Sequence, residues 1–297
     1  MKKSTLKLVS TIVILLIFSV KSFALTNITD TVLQSTTTWN EAGSPYIIQN
    51  DFRIPNGMSL TVGPGVEIRM FMETNLVVDG LFRCLGEKDK RIKITSIAEN
   101  PSAGDWGLIY FYPDAEDAYI DATGKYISGA CFKYTDIEYA GYNADYIGAV
   151  TGFQTNIYML NSSVTNCKTN GLVISTLDLG VQARIDSCNF SNNGWRGMVV
   201  ETISFNTFIT NTQTNYNGYE GCYFQYLTGG TLIENCQSNY NQTNGYYIKE
   251  SSNIVINNNT GNYNVEGGLF IESTPNALIS NNIFSSNGLD GIYSVTV

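Results

Sequence analysis

The 297-residue chain contains no histidine. That absence excludes Ser-His-Asp and Cys-His catalysis and every histidine-ligated metal site. Any chemistry would fall to carboxylates, lysine, arginine or tyrosine. Charge is also sparse, at 14% of residues, and basic residues are the minority, with 17 Lys+Arg against 26 Asp+Glu. Beyond residue 24 there is no apolar run of the roughly 20 residues that a spanning helix needs, nor a helix-period pattern of useful length.

The one long apolar stretch lies at the N-terminus. Lys2, Lys3 and Lys7 precede Leu8 to Val20, and Ser22-Phe23-Ala24 places small residues at the −3 and −1 positions of a cleavage site. Leu8 to Val20 is short for a membrane anchor and includes Ser10 and Thr11. Residues 1–24 are therefore expected to be a cleaved signal peptide, with the protein secreted or at the cell surface and no transmembrane segment left after cleavage. Its loss removes four lysines and no acid, leaving 13 cations, 26 acids and a net charge of −13. That charge argues against nucleic acid and anionic membranes as partners, and against a tightly held polyanion unless a basic patch exists.

From Met159 onward the chain repeats. Gly171, Gly197, Gly221, Gly245, Gly268 and Gly291 recur at intervals of 26, 24, 24, 23 and 23. Twelve residues before each stands Met159, Ile185, Ile209, Ile233, Ile256 or Ile279, and two after these stands Asn161, Ser187, Asn211, Asn235, Asn258 or Asn281. Four before the glycine stands Cys167, Asn193, Asn217, Asn241, Asn264 or Asn287. Each glycine opens an alternating strand, so Leu172, Met198, Cys222, Tyr246, Leu269 and Ile292 face inward, as do Ile174, Val200, Phe224, Ile248 and Ile271. These columns predict an all-β, right-handed parallel β-helix with coils of about 23–26 residues.

The glycines are expected to serve a sharp turn that needs φ > 0. The asparagines are expected to adopt left-handed turns and to pass amide hydrogen bonds from coil to coil. Tyr216, Tyr240 and Tyr263 are expected to stack ring on ring as a stabilising element. The repeat also bears on the cysteines. Cys188 and Cys236 share one coil position with Thr212 between them, roughly 9–10 Å apart at strand spacing. A disulfide needs Cα atoms within about 7 Å, so buried free cysteine is expected, Cys222 in an inward column included.

Residues 25–45 are polar and weakly patterned and are expected to form an N-terminal cap, with the β-helix over 46–297. Strand signals run through Tyr46–Ile48, Leu60–Val62, Val66–Ile68, Leu76–Val78, Ile92–Ile94 and Ile109–Phe111, with turns such as Gly63-Pro64-Gly65 between them. Asp114, Glu116, Asp117 and Asp121 crowd one loop. A calcium site is conceivable there, but no EF-hand or glycine-rich calcium repeat is present, and a solvated acidic loop is expected. No cofactor or metal is expected.

Three stretches carry a family resemblance: Ser59-Leu60-Thr61-Val62-Gly63-Pro64-Gly65-Val66, then Leu76-Val77-Val78-Asp79-Gly80-Leu81, then Gly104-Asp105-Trp106-Gly107. Together they resemble the opening of secreted right-handed parallel β-helix repeat proteins of Bacteroidetes-like bacteria, whose fold is pectate-lyase-like. Cys131 to Gly141 resembles that family's next recurring segment. The resemblance implies fold and export. It assigns no catalytic residue, because no segment matches the calcium-binding aspartates or base arginine of pectate lyases.

The outward column of the glycine-opened strands reads Val173, Val199, Tyr223, Tyr247, Phe270 and Tyr293, beside Ser175, Glu201, Gln225, Lys249, Glu272 and Val295. Flat rings flanked by hydrogen-bonding groups suit the apolar faces and hydroxyl rims of a polysaccharide or cell-surface glycan, although tyrosine and phenylalanine also simply favour strands. The expected ligand site is Tyr223, Tyr247, Phe270 and Tyr293, all solvent-exposed, with Glu201, Gln225, Lys249 and Glu272. Glu201 and Glu272 lie three coils apart, about 14 Å, too far for a glycosidase pair at roughly 5–10 Å. Binding without catalysis is the primary expectation. A polysaccharide lyase or glycoside hydrolase and a structural or adhesive surface module are the alternatives. The sequence stops inside a repeat strand, at Tyr293 to Val297, so further chain beyond it is expected.

Overall fold

The computed structural model describes residues 25–143, 147–175, 183–203 and 206–296. The expected signal peptide at residues 1–24 lies outside them. The chain winds as a right-handed parallel β-helix whose coils visit three sheets in turn. The first sheet runs from Thr26–Ile28 through Tyr46–Ile48, Glu67–Met70, Ile92–Ser96 and Thr135–Glu138 to Ser163–Thr165. It then continues as single parallel bridges through Asn189, Gln213, Gln237, Thr260 and Ile283. The second and third sheets each have ten strands. The second runs from Phe52–Ile54 to Ile292–Val295, and the third from Thr37–Trp39 to Leu278–Ser280. Strand pairing thus begins inside the segment expected to act as a cap.

The register matches the sequence columns. Leu172 pairs with Met198, Met198 with Cys222, Cys222 with Tyr246, Tyr246 with Leu269 and Leu269 with Ile292. The first five of these are buried, as are Ile174, Val200, Phe224, Ile248 and Ile271 two residues on. Ile185, Ile209, Ile233 and Ile256 close the core from the third sheet. Ile292 departs from expectation at 49% exposure, because no coil lies over the last described strand to cover its inward side chain.

The glycine column also departs from expectation, in its cause. None of the six aligned glycines has a positive φ. A Cβ on Gly245 would stand 2.7 Å from the Gly268 carbonyl oxygen and 2.7 Å from that of Ser238. Neighbouring coils approach so closely here that only hydrogen fits. The left-handed conformation falls instead on the asparagines, with φ of 50° at Asn161, 54° at Asn211, 56° at Asn235 and 57° at Asn258.

The second asparagine column is a buried ladder. The Asn193 N–H donates to Asn217 Oδ1 at 3.0 Å, the Asn217 N–H to Asn241 Oδ1 at 3.0 Å and the Asn241 N–H to Asn264 Oδ1 at 2.9 Å. The side-chain amides run in the same direction, from Asn217 Nδ2 to Asn241 Oδ1 at 3.1 Å and from Asn241 Nδ2 to Asn264 Oδ1 at 3.0 Å. Each amide satisfies turn groups that the solenoid would otherwise bury without partners.

All six cysteines are free and buried. Burial pushes the thiols of Cys131, Cys167, Cys188 and Cys236 up to about 12. Since the thiolate is the reactive form, a thiol reagent at neutral pH should label none of the six in the native protein and all six in denaturant. A reducing agent should leave the melting temperature unchanged. Rapid native labelling of even one cysteine contradicts this packing.

In the acidic loop Asp114 and Glu116 are exposed to solvent, while Asp121 and Asp117 accept backbone hydrogen bonds. Asp121 Oδ1 accepts from the backbone N–H groups of Thr123 and Lys125, at 2.8 and 3.0 Å, between the antiparallel strands Tyr119–Ile120 and Tyr126–Ser128. Asp117 accepts from the Asn156 N–H at 2.7 Å, and burial raises its carboxyl. Among the described residues no group of three or more cysteines and acids converges to hold a metal ion, and no helix is long and apolar enough to cross a membrane.

Candidate functional site

Strand alternation puts one set of side chains on the outer face of the second sheet. Val199 pairs with Tyr223, Tyr223 with Tyr247, Tyr247 with Phe270 and Phe270 with Tyr293. The four rings form a file, with centroids 5.2, 4.7 and 5.1 Å apart and planes tilted by 31°, 38° and 32°. Tyr293 is 47% exposed. The other three are half-buried rather than open as expected, because each ring shields its neighbours at the coil spacing. Val173 and Val199, earlier in the same column, are buried, so the open aromatic surface starts at Tyr223.

The polar column runs alongside in register, from Glu201 to Gln225, Lys249 and Glu272. All eight residues anticipated from sequence therefore share one face. The Tyr223 hydroxyl donates to Gln225 Oε1 at 2.8 Å, and Gln225 Nε2 donates to Glu250 at 2.9 Å. The Tyr247 hydroxyl donates to Glu272 at 2.9 Å, and Lys249 Nζ stands 3.5 Å from the same carboxylate. Arg196 enters from the adjoining turn. Its guanidinium lies 4.5 Å from the Tyr223 ring centre and pairs with Glu220 at 2.6 Å.

Electrostatics sort these groups. Burial raises the Glu201 carboxyl, with Arg196 working against the shift. Burial first, and then nearby carboxylates, raise the phenols of Tyr223 and Tyr247, so both remain protonated donors at neutral pH. Glu201, Glu220, Glu250 and Glu272 bring four acids to the face, while the two cations Arg196 and Lys249 are each paired with one of them. Glu201 and Glu272 are three strand steps apart in the register, which rules out their acting as a pair across one glycosidic bond.

A second aromatic group on this sheet escaped the sequence reading. Tyr110 pairs with Thr151, which pairs with Val173, four strand steps or about 19 Å before Tyr223. Its ring lies 4.7 Å from that of Tyr112 and 6.4 Å from that of Phe153. Glu73, Asn75, Tyr110, Tyr112 and Tyr142 line a cleft of about 540 Å³ there. The alternation in Ile109-Tyr110-Phe111-Tyr112 marks both tyrosines as outward-facing. The 33- and 41-residue spacings from Leu76 to Ile109 and from Ile109 to Val150 hid their register with the later coils. Buried Thr151, Val173 and Val199 separate the two aromatic groups.

Residues 147–296 match the family model described as the right-handed β-helix region, and no curated protein matches the sequence. Among solved structures, a point mutant of the periplasmic alginate epimerase AlgG is similar at 13% identity with a TM-score of 0.51, over 84% of this chain and 73% of that one. The A-module of the Azotobacter vinelandii mannuronan C-5 epimerase AlgE4 is similar at 12% identity with a TM-score of 0.47, over 86% and 87% of the two chains. The enzymatically active domain of bacteriophage CBA120 tailspike protein 2 is similar at 11% identity with a TM-score of 0.42, over 85% of this chain and 39% of that one. At such identities the likeness is one of fold. The repeat columns, the three parallel sheets and the family match agree, and the chain belongs to the right-handed β-helix family.

Proposed function

We propose that this chain is an exported protein that binds polysaccharide along the outer face of its second sheet. The file Tyr223, Tyr247, Phe270 and Tyr293 is the observation that carries the reading. Four successive coils offer rings to the outside beside Gln225, Lys249 and Glu272, pairing apolar surface with hydrogen-bonding groups at the coil repeat. One solved structure of similar fold is, by its name, a periplasmic alginate epimerase, and the pattern of residues 1–24 supports export to the cell exterior. Four carboxylates against two paired cations favour an uncharged chain over a polyuronate, since a uronate would meet like charge.

Cleavage of the bound chain is the second reading, favoured by one observation. The Glu201 carboxyl is half-buried beside Tyr223, and burial shifts it upward against the opposing pull of Arg196, the direction in which enzymes tune a general acid.

A panel of neutral and acidic polysaccharides, with product analysis on every hit, tests both. Retention by a neutral polysaccharide without release of oligosaccharides is the expected result. Release of oligosaccharides selects the enzymatic reading. No retention by any member overturns both, in favour of a structural surface module.

A further inference from the structure

We propose a second glycan-binding surface, on the corner of the solenoid, formed by Tyr216, Tyr240 and Tyr263. It is separate from the sheet-face file. The three tyrosines occupy equivalent turns, and the same slot in other coils holds Asn166, Asn192 and Ser286. All six residues are left-handed, with φ between 57° and 59°. Asparagine takes that conformation readily and bulky residues do not. Tyrosine here works against backbone preference, and it does so in three consecutive coils.

Burial does not offset that strain, because the rings are 56%, 42% and 54% exposed. They stack with centroids 4.8 and 5.0 Å apart and planes within 2° and 5° of parallel. That separation exceeds the contact distance of roughly 3.5–4.0 Å between carbon atoms, so the rings overlap like shingles. Each shows part of a face, and each hydroxyl edge repeats at the coil rise. An extended polysaccharide, with apolar faces and hydroxyl rims repeating at a similar length, matches this surface.

A cleft of about 500 Å³ adjoins the stack. Tyr216 and Tyr240 line it with Lys168, Asn192 and Gln242, over Gly194 and Gly218. A Cβ on Gly218 would meet the Gly194 carbonyl oxygen at 2.0 Å, so close packing of the turns keeps the floor bare. The lining carries amides and one lysine and no carboxylate, so hydrogen-bonding groups outnumber charge along it. A further aromatic pair lies beside the sheet-face file. Trp195 stacks on Tyr219 at 5.2 Å, and the Arg196 guanidinium lies 6.0 Å from the Tyr219 ring and 4.5 Å from that of Tyr223.

The test is the triple variant Y216N/Y240N/Y263N, compared with wild type by affinity electrophoresis in gels containing xylan, galactomannan, mixed-linkage β-glucan, alginate or polygalacturonate. Asparagine suits the backbone of this slot, so lost stacking and relieved strain oppose one another. The single variant Tyr240→Asn should melt within about 4 °C of wild type. The triple variant should lose about tenfold or more in affinity for a neutral polysaccharide, as when contact hot spots are removed. The sheet-face variant Tyr247→Leu/Phe270→Leu is run in parallel. Unchanged affinity in the tyrosine-to-asparagine variant, with loss only in the sheet-face variant, overturns the second surface and leaves the first intact. No retardation of wild type overturns both, and retardation only by alginate or polygalacturonate overturns the assignment to uncharged chains. If the triple variant unfolds, nitration of wild type with tetranitromethane decides. A bound neutral polysaccharide should protect Tyr216, Tyr240 and Tyr263, and nitration at an undiminished rate overturns the proposal, as does concentration-dependent self-association that buries the three rings.

Discussion

Replacing Asn241 with leucine is expected to cost about 3–5 kcal/mol of folding stability, although leucine has nearly the same shape. Asn241 is fully buried in the amide ladder. Its Oδ1 accepts from both the backbone and the side chain of Asn217, at 3.0 and 3.1 Å. Its Nδ2 donates to Asn264 Oδ1 at 3.0 Å and to Ser238 Oγ at 3.2 Å. Leucine would strand two buried donors on Asn217, and each unsatisfied buried group costs about 1–3 kcal/mol. Asn258 makes the contrast. It is exposed and left-handed and donates to Asn235 Oδ1 at the surface, and Asn258→Ala should cost little beyond the backbone preference of about 1–2 kcal/mol, because the groups it frees are open to water. Urea denaturation of the two variants checks the ordering. A loss below about 1 kcal/mol for Asn241→Leu would mean that the ladder does not hold the coils together.

The ladder also shows how far the sequence could be read. A polar residue recurring every 23–26 positions in an otherwise apolar repeat already marks a structural column, and the amide chain follows from stacking alone. Inward and outward faces follow equally directly from the alternation in Gly245-Tyr246-Tyr247-Ile248-Lys249. The role of the glycines did not follow. A close approach between the Gly245 and Gly268 turns is a contact between coils, and local spacing cannot distinguish it from a turn that needs φ > 0. Exposure does not follow either, for a related reason. Alternation gives the direction of Tyr247 but not the cover that Tyr223 and Phe270 supply from neighbouring coils. Tyr110, Tyr112 and Phe153 were missed because insertions break the repeat where those residues join the sheet. The left-handed backbone of Tyr216, Tyr240 and Tyr263 could have been inferred, since asparagine fills their slot in other coils. The stacking of these rings masked it, reading as stability and nothing more.

For the sheet-face file, the variant Tyr247→Leu/Phe270→Leu is expected to lose about a hundredfold in affinity for a neutral polysaccharide. Two stacked rings at the centre of a contact are each worth about a factor of ten when truncated. Leucine keeps much of the apolar volume, which alanine would not. The distinction matters because Tyr247 and Phe270 are half-buried and stacked at 4.7 Å, and truncation to alanine would mix lost packing with lost binding. The variant removes flat faces and the hydroxyl that donates to Glu272. The inward residues Tyr246, Ile248, Leu269 and Ile271 stay in place.

The most direct measurement is therefore calorimetric titration of wild type and of Tyr247→Leu/Phe270→Leu with the neutral polysaccharide that the panel identifies, alongside a melting curve for each protein. Polysaccharide binding along the second sheet requires affinity to fall about a hundredfold while both proteins melt within a few degrees of each other. Equal affinity in the two proteins would contradict it, because the rings that define the surface would then contribute nothing to the contact.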